Sequence, residues 1–105
     1  MPVCHLEEIF GPVVVAEPLT DEVEAISSAN STEYGLAASV WTRDLTQARR
    51  VSENLETGMV WVNTWLHRDL RVPFGGIKQS GVGREGGRWA LEFFSEIRNI
   101  CLHDD

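Results

Sequence analysis

"GLAASVWTRDLTQARRVSENLETGMVWVN", residues 35–63, is the stretch whose reading decides the fold. It opens on "GLAASVWT", an apolar, β-prone strand. Asp44 stands three residues before Gln47, the spacing of a capping box, which takes up orphan N–H groups where a helix starts. Leu45, Ala48, Val51 and Leu55 then recur at helical spacing, and Gly58 predicts the end of the helix. "MVWVN" closes the stretch as a further strand. Strand, helix and strand in this order mean a right-handed crossover onto a parallel sheet.

Toward the N-terminus, "PVVVAEPL" (12–19) is β-branched and closed by Pro18, so it reads as another strand. "TDEVEAISSAN" follows as a helix. Thr20 is its predicted cap, Asp21 and Glu22 suit its positive end, and Val23, Ile26 and Asn30 share a face. The expected class is therefore α/β, a small parallel βαβαβ sheet in a single unit over residues 1–105. After Asn63 the alternation stops. "TWLHRDLRVPFGGIKQSGVGREGG" (64–87) is a long glycine-rich loop, and loops of this length are usually functional. "RWALEFFSEI" reads as a C-terminal helix with Trp89, Leu91, Phe93 and Phe94 as apolar contacts. "RNICLHD" reads as a last strand.

Composition narrows the function classes. The 105 residues are 43% hydrophobic and 24% charged, ordinary for a globular chain with one modest core. No apolar run approaches the ~20 residues of a membrane span. The start lacks the basic-then-apolar layout of a secretory signal. The net charge of −7 argues against nucleic acid as a partner. Cys4 and Cys101 are too few and too far apart for a disulfide framework, which points to reduced thiols and a cytoplasmic location. No Lys or Arg precedes Arg43, yet Arg68, Arg71, Lys78, Arg84 and Arg88 face only Asp69 and Glu85 between 68 and 88. A local basic patch in an acidic chain suits a small anionic ligand; scattered charges on a solvated loop are the plainer alternative.

"GVGREG" (81–86) fits the spacing of a dinucleotide pyrophosphate loop. That motif needs a strand before it and an acidic residue ~20 positions on. The preceding "PFGGIKQS" reads as loop and the chain has no second βαβ half, so these glycines are read as sites of positive φ and close backbone passage. No nucleophile–base pair is evident at Cys4 or Cys101, so no catalytic residue is assigned. His5, His67 and His103 lack metal-ligand spacing, and no metal site is assigned. "EEIFGP" sets two carboxylates beside an aromatic. An ionised carboxylate can grip a vicinal diol such as ribose, and the ring could face a nicotinamide; a solvated acidic turn is the alternative. "WVNTWLHRDLRVPFGG" (61–76) places Trp65 and Phe74 with Arg68 and Arg71. Aromatic walls and a guanidinium fork suit a small acid, unless each Arg pairs with Asp69 or with water.

Four stretches, "EEIFGPVV" (7–14), "YGLAASVWTRDL" (34–45), "GMVWVN" (58–63) and "PFGGIKQSGVGREGG" (73–87), together resemble the C-terminal part of the NAD(P)-dependent aldehyde dehydrogenase superfamily. The likeness runs from about Glu7 to Leu102. "VNTWLHRDLRVPFGG" is most similar to the 2-hydroxymuconic semialdehyde dehydrogenases, with the 2-aminomuconic enzymes close behind. The resemblance implies an oxidoreductase of aromatic-compound catabolism that takes an aldehyde bearing a carboxylate. It implies NAD or NADP as cofactor of the parent enzyme, with Glu8 on the nicotinamide ribose and Phe10 against the nicotinamide. Phe74 and Trp65 would wall the substrate pocket, and Arg68 would face the substrate carboxylate. "RNICLHD" would be an oligomerisation-type strand, added to a neighbouring subunit's sheet.

The family's nucleophilic cysteine, general-base glutamate, oxyanion-holding asparagine and cofactor domain lie ahead of "EEIFGP" and have no counterpart in these residues. The expectation is a fragment that binds no cofactor and oxidises no aldehyde by itself. It would work with its missing N-terminal part or as a homo-oligomer. A non-catalytic assembly module joined through the terminal strand is the second expectation, and a stand-alone carboxylate-binding protein the third.

Overall fold

The structure, a computed structural model, describes residues 3–104. After a short 3-10 turn at Val3–His5 the elements are α1 (Glu22–Asn30), β1 (Tyr34–Gly35), β2 (Ala37–Val40), α2 (Leu45–Asn54), β3 (Met59–Val62), β4 (Ile77–Lys78) and α3 (Gly87–Phe93). β2 and β3 run parallel, with Ala37 opposite Met59 and Val40 opposite Val62. α2 is the crossover between them and packs on both strands. Ala48 of α2 and Trp61 of β3 are the buried hydrophobic residues among those described, so the core sits between this helix and the strand pair.

Local chemistry sets the helix starts. The Asp44 carboxylate accepts from the Thr46 and Gln47 amides at 2.9 and 3.2 Å. Gln47 does not reach back to the cap; its amide oxygen takes the Thr42 hydroxyl instead, at 2.8 Å. The expected stripe on α2 is shorter than its spacing suggested. The helix ends at Asn54, Leu55 caps it in an extended conformation, and Leu45 is exposed. For α1 the cap is Asp21, not Thr20. Asp21 accepts from the Glu24 amide at 2.8 Å, while Glu24 reaches back to the Thr20 amide at 2.8 Å. Glu22 of α1 receives the Arg50 guanidinium of α2, with Nη2 at 2.7 Å, which ties the two helices together.

The α/β class stands, with one parallel β-α-β unit rather than two. Residues 12–19 and 98–104 are not strands. Both stretches are exposed, with Val14 at 92% and Leu102 at 88%. A strand exists only through a ladder partner, and β propensity cannot supply one. The long loop holds structure that its glycines concealed. Ile77 and Lys78 pair antiparallel with Gly35 and Tyr34. The radius of gyration, 18.6 Å, exceeds the ~13 Å of a compact chain this long. The excess matches the two long exposed segments at the ends.

Candidate functional site

The loop after β3 begins with a turn fixed by Asn63, whose φ is 52°. Its side chain accepts from the Thr42 amide and donates to the Thr42 carbonyl, each at 2.9 Å. Trp61 then anchors the loop from below. Its indole N–H donates to the His67 carbonyl at 2.9 Å, and its ring meets Trp65 edge-on with centroids 5.4 Å apart. The remainder folds back on itself. Phe74 and Glu85 exchange both backbone hydrogen bonds at 2.8 Å, forming an isolated antiparallel bridge. Gly83 and Gly86 take positive φ of 70° and 95°, as expected, whereas Gly81 does not, and a Cβ on it would meet nothing nearer than 3.7 Å. A Cβ on Gly86 would stand 2.3 Å from the Val72 carbonyl oxygen, so the two legs of the loop touch through backbone.

That bridge assembles the candidate site. The Arg68 guanidinium carbon lies 4.3 Å from the centroid of the Phe74 ring. The Arg68 Nη2 donates to Glu85 Oε1 at 2.9 Å. Arg71, the other arginine of this run, is committed elsewhere. It forms a two-pronged pair with Asp69, with Nη2 to Oδ2 at 2.6 Å. The Arg71 hydrogen bonds hold the Asp69 carboxyl below its usual value, and Asp69 in turn raises Arg71. Arg84 turns back onto the Gly76 and Gly83 carbonyls. Glu85 carried no role in the sequence reading. Its one signal was being an acid within a basic run.

The other expected residues lie in separate places. Phe74 lines a cavity of about 310 Å³ with Leu36, Gly83, Arg84, Phe93 and Phe94. Glu8 and Phe10 share a groove of about 320 Å³ with Cys4, Ile9, Val13 and Val15. Glu8 also reaches a larger hollow of about 570 Å³, beside Leu6, Tyr34, Leu36, Ala38 and Ser80. Phe10 is 92% exposed and has a positive φ of 57°. Trp65 is exposed and joined to Trp61. Cys4 and Cys101 are free and exposed. Among the described residues no helix is long and apolar enough to cross a membrane.

A parallel β-α-β unit carrying a glycine-rich loop, with an arginine stacked on a phenylalanine, makes this an α/β chain with small sheets. The model of the aldehyde dehydrogenase family matches residues 2–100, and the chain belongs to that family. Among curated relatives it is 56% identical over 96 residues to 2-hydroxymuconic semialdehyde dehydrogenase of Pseudomonas sp. (strain CF600), covering 91% of this chain and 20% of the relative. It is 54% identical over 99 residues to 2-aminomuconic 6-semialdehyde dehydrogenase of Pseudomonas sp., covering 94% and 20%. Among solved structures it is similar to HpcC from Thermus thermophilus, with a TM-score of 0.84 and 50% identity over 95% of this chain and 21% of that one. Betaine aldehyde dehydrogenase from Staphylococcus aureus in complex with NAD+ superposes with a TM-score of 0.81 and 46% identity, over 85% of this chain and 18% of that one. The chain spans about a fifth of the length of the curated relatives it matches.

Proposed function

We propose that this chain is the C-terminal portion of an NAD(P)-dependent dehydrogenase that oxidises a carboxylate-bearing semialdehyde to the acid. The observation that carries this reading is the Arg68 guanidinium laid over the Phe74 ring at 4.3 Å. A planar guanidinium offers two parallel N–H donors to a carboxylate, which an aromatic wall alone cannot. The names of the muconic semialdehyde relatives support the substrate class. Phe74 and Trp65 would wall the aldehyde pocket, and Arg68 would bind the far carboxylate.

The exposed Glu8 carboxylate and the open Phe10 ring fit the ribose and nicotinamide of the cofactor, which supplies the hydride acceptor when bound. Glu8 would accept hydrogen bonds from the two ribose hydroxyls, and Phe10 would offer an apolar face. The attacking thiolate and its base would come from polypeptide outside residues 1–105, since this reading gives neither Cys4 nor Cys101, both free and exposed, the nucleophile's role. The isolated chain is therefore inactive.

The test has two arms. In the complete enzyme, Arg68→Ala raises the KM for a muconic semialdehyde about 10- to 100-fold, the loss of one charge-assisted hydrogen-bonded pair. A neutral aldehyde of similar length loses far less, and equal losses for both aldehydes would refute the Arg68 role. Cofactor reduction by the pure 105-residue chain would refute its inactivity.

A second reading, an assembly module, is favoured by the exposed apolar stretch around Ile97, Ile100 and Leu102, which has no ladder partner among the described residues. Light scattering decides it: a chain that stays monomeric at high concentration removes this reading.

A further inference from the structure

We propose that Glu85 is a positioning residue, whose carboxylate aims the Arg68 guanidinium at the carboxylate of the substrate. This rests on the reading of Arg68 as the group that takes that carboxylate. Three contacts carry it. Glu85 Oε1 holds Arg68 Nη2 at 2.9 Å, the Phe74 ring backs the guanidinium at 4.3 Å, and the Phe74 and Glu85 backbones are joined by two hydrogen bonds of 2.8 Å. The ring and the carboxylate therefore sit on one rung, and Arg68 is held between them.

Arginine loses much rotamer freedom when it is fixed, and here that loss precedes ligand binding. The guanidinium has five N–H donors, and the Glu85 contact engages Nη2. Neither Arg71, spent on Asp69, nor Arg84, turned onto the Gly76 and Gly83 carbonyls, is offered in this way. The Arg68 and Glu85 side chains are 43% and 60% exposed, so their pairing contributes little to stability. Water also screens the repulsion between Glu85 and an incoming carboxylate. Orientation is the larger effect left.

The test separates reach from charge. Muconate, a non-reacting diacid, is titrated by calorimetry into the complete enzyme. Glu85→Gln removes the charge and keeps an acceptor at the same reach. Glu85→Asp keeps the charge and withdraws it by one methylene. Glu85→Asp weakens muconate binding by about 5-fold, the size of a lost surface pairing, and Glu85→Gln weakens it by less than about 2-fold. In an Arg68→Ala background, Glu85→Asp causes no further loss. Tighter binding on loss of the charge, or a Glu85→Asp loss that persists without Arg68, overturns the proposal. Undiminished muconate binding by Arg68→Ala alone overturns the underlying reading instead.

Discussion

Replacing Gly58 with alanine puts a methyl group where the fold has no room for one. Gly58 lies between α2 and β3, and its amide donates to the Gly35 carbonyl at 3.1 Å. A Cβ there would stand 1.7 Å from the Gly75 carbonyl oxygen, 2.8 Å from the Gly75 carbonyl carbon and 3.1 Å from the Gly76 Cα. Carbon approaches a carbonyl oxygen to about 3.3 Å, so the two backbones must part by about 1.5 Å. Every one of these neighbours is backbone, and no side-chain rotation relieves the overlap. The segment that moves begins one residue after Phe74, so the ring beneath Arg68 moves with it. Overpacking on this scale costs about 3 kcal/mol or more. In a domain of this size each kcal/mol shifts the melting midpoint by about 4–8 °C, so the midpoint falls by at least about 12 °C. Thermal unfolding followed by circular dichroism measures it, with the Gly75 and Gly76 amide resonances reporting the displacement. Gly11→Ala, with nothing within 4 Å, and Gly81→Ala, whose nearest neighbour is 3.7 Å away, serve as controls that stay near the parent. A Gly58→Ala chain that melts within about 3 °C of the parent, with both resonances unmoved, would show that the close approach is not a packing constraint.

Three further outcomes test the frame around the site. Asp44→Ala frees the Thr46 and Gln47 amides at the start of α2 and costs about 1 kcal/mol in chemical denaturation, with Asp44→Ser recovering most of it. Asn63→Ala loses both bonds to Thr42 and leaves a Cβ residue at φ 52° without them, so it costs about 2 kcal/mol; Asn63→Gly, which tolerates that φ, loses less. The Arg50 hydrogen bond, aided by Gln47, holds the Glu22 carboxyl below its ordinary value of 4.5. A lowered folded value means that the α1–α2 tie stabilises fully above 4.5 and is lost as pH falls through the lowered value. A pH series of melting midpoints measures this, and Glu22→Gln should flatten the acid side of the curve.

The α2 start was legible because its signals act over three residues: an acidic side chain, two amides it can reach, and a periodic face. Asp21 shows how narrow that legibility is. Thr20 and Asp21 are both good caps, and the helix uses the one whose carboxylate reaches the Glu24 amide. The same locality explains the misses. "PVVVAEPL" carries every local mark of a strand, yet no described strand lies beside it to complete a ladder. Ile77 and Lys78 carry few such marks, yet they pair with Tyr34 and Gly35 because the loop brings them there.

The sequence alone determined the class and the family: a strand–helix–strand run whose caps and periodicity act between near neighbours, and motifs whose order survives without any geometry. It also marked out Glu8, Phe10, Trp65, Arg68 and Phe74 as candidate site residues, with Arg71 beside Arg68. The resemblance already set Arg68 rather than Arg71 against the substrate carboxylate, and the tertiary structure adds that the two arginines have different partners. Arg71 is spent on an acid two residues away, whereas Arg68 is held by Glu85, 17 residues distant, over a ring that shares a backbone bridge with that acid. Contacts across such distances depend on where the loop returns, and the return is set by backbone pairing and glycine close approach rather than by any local pattern of side chains.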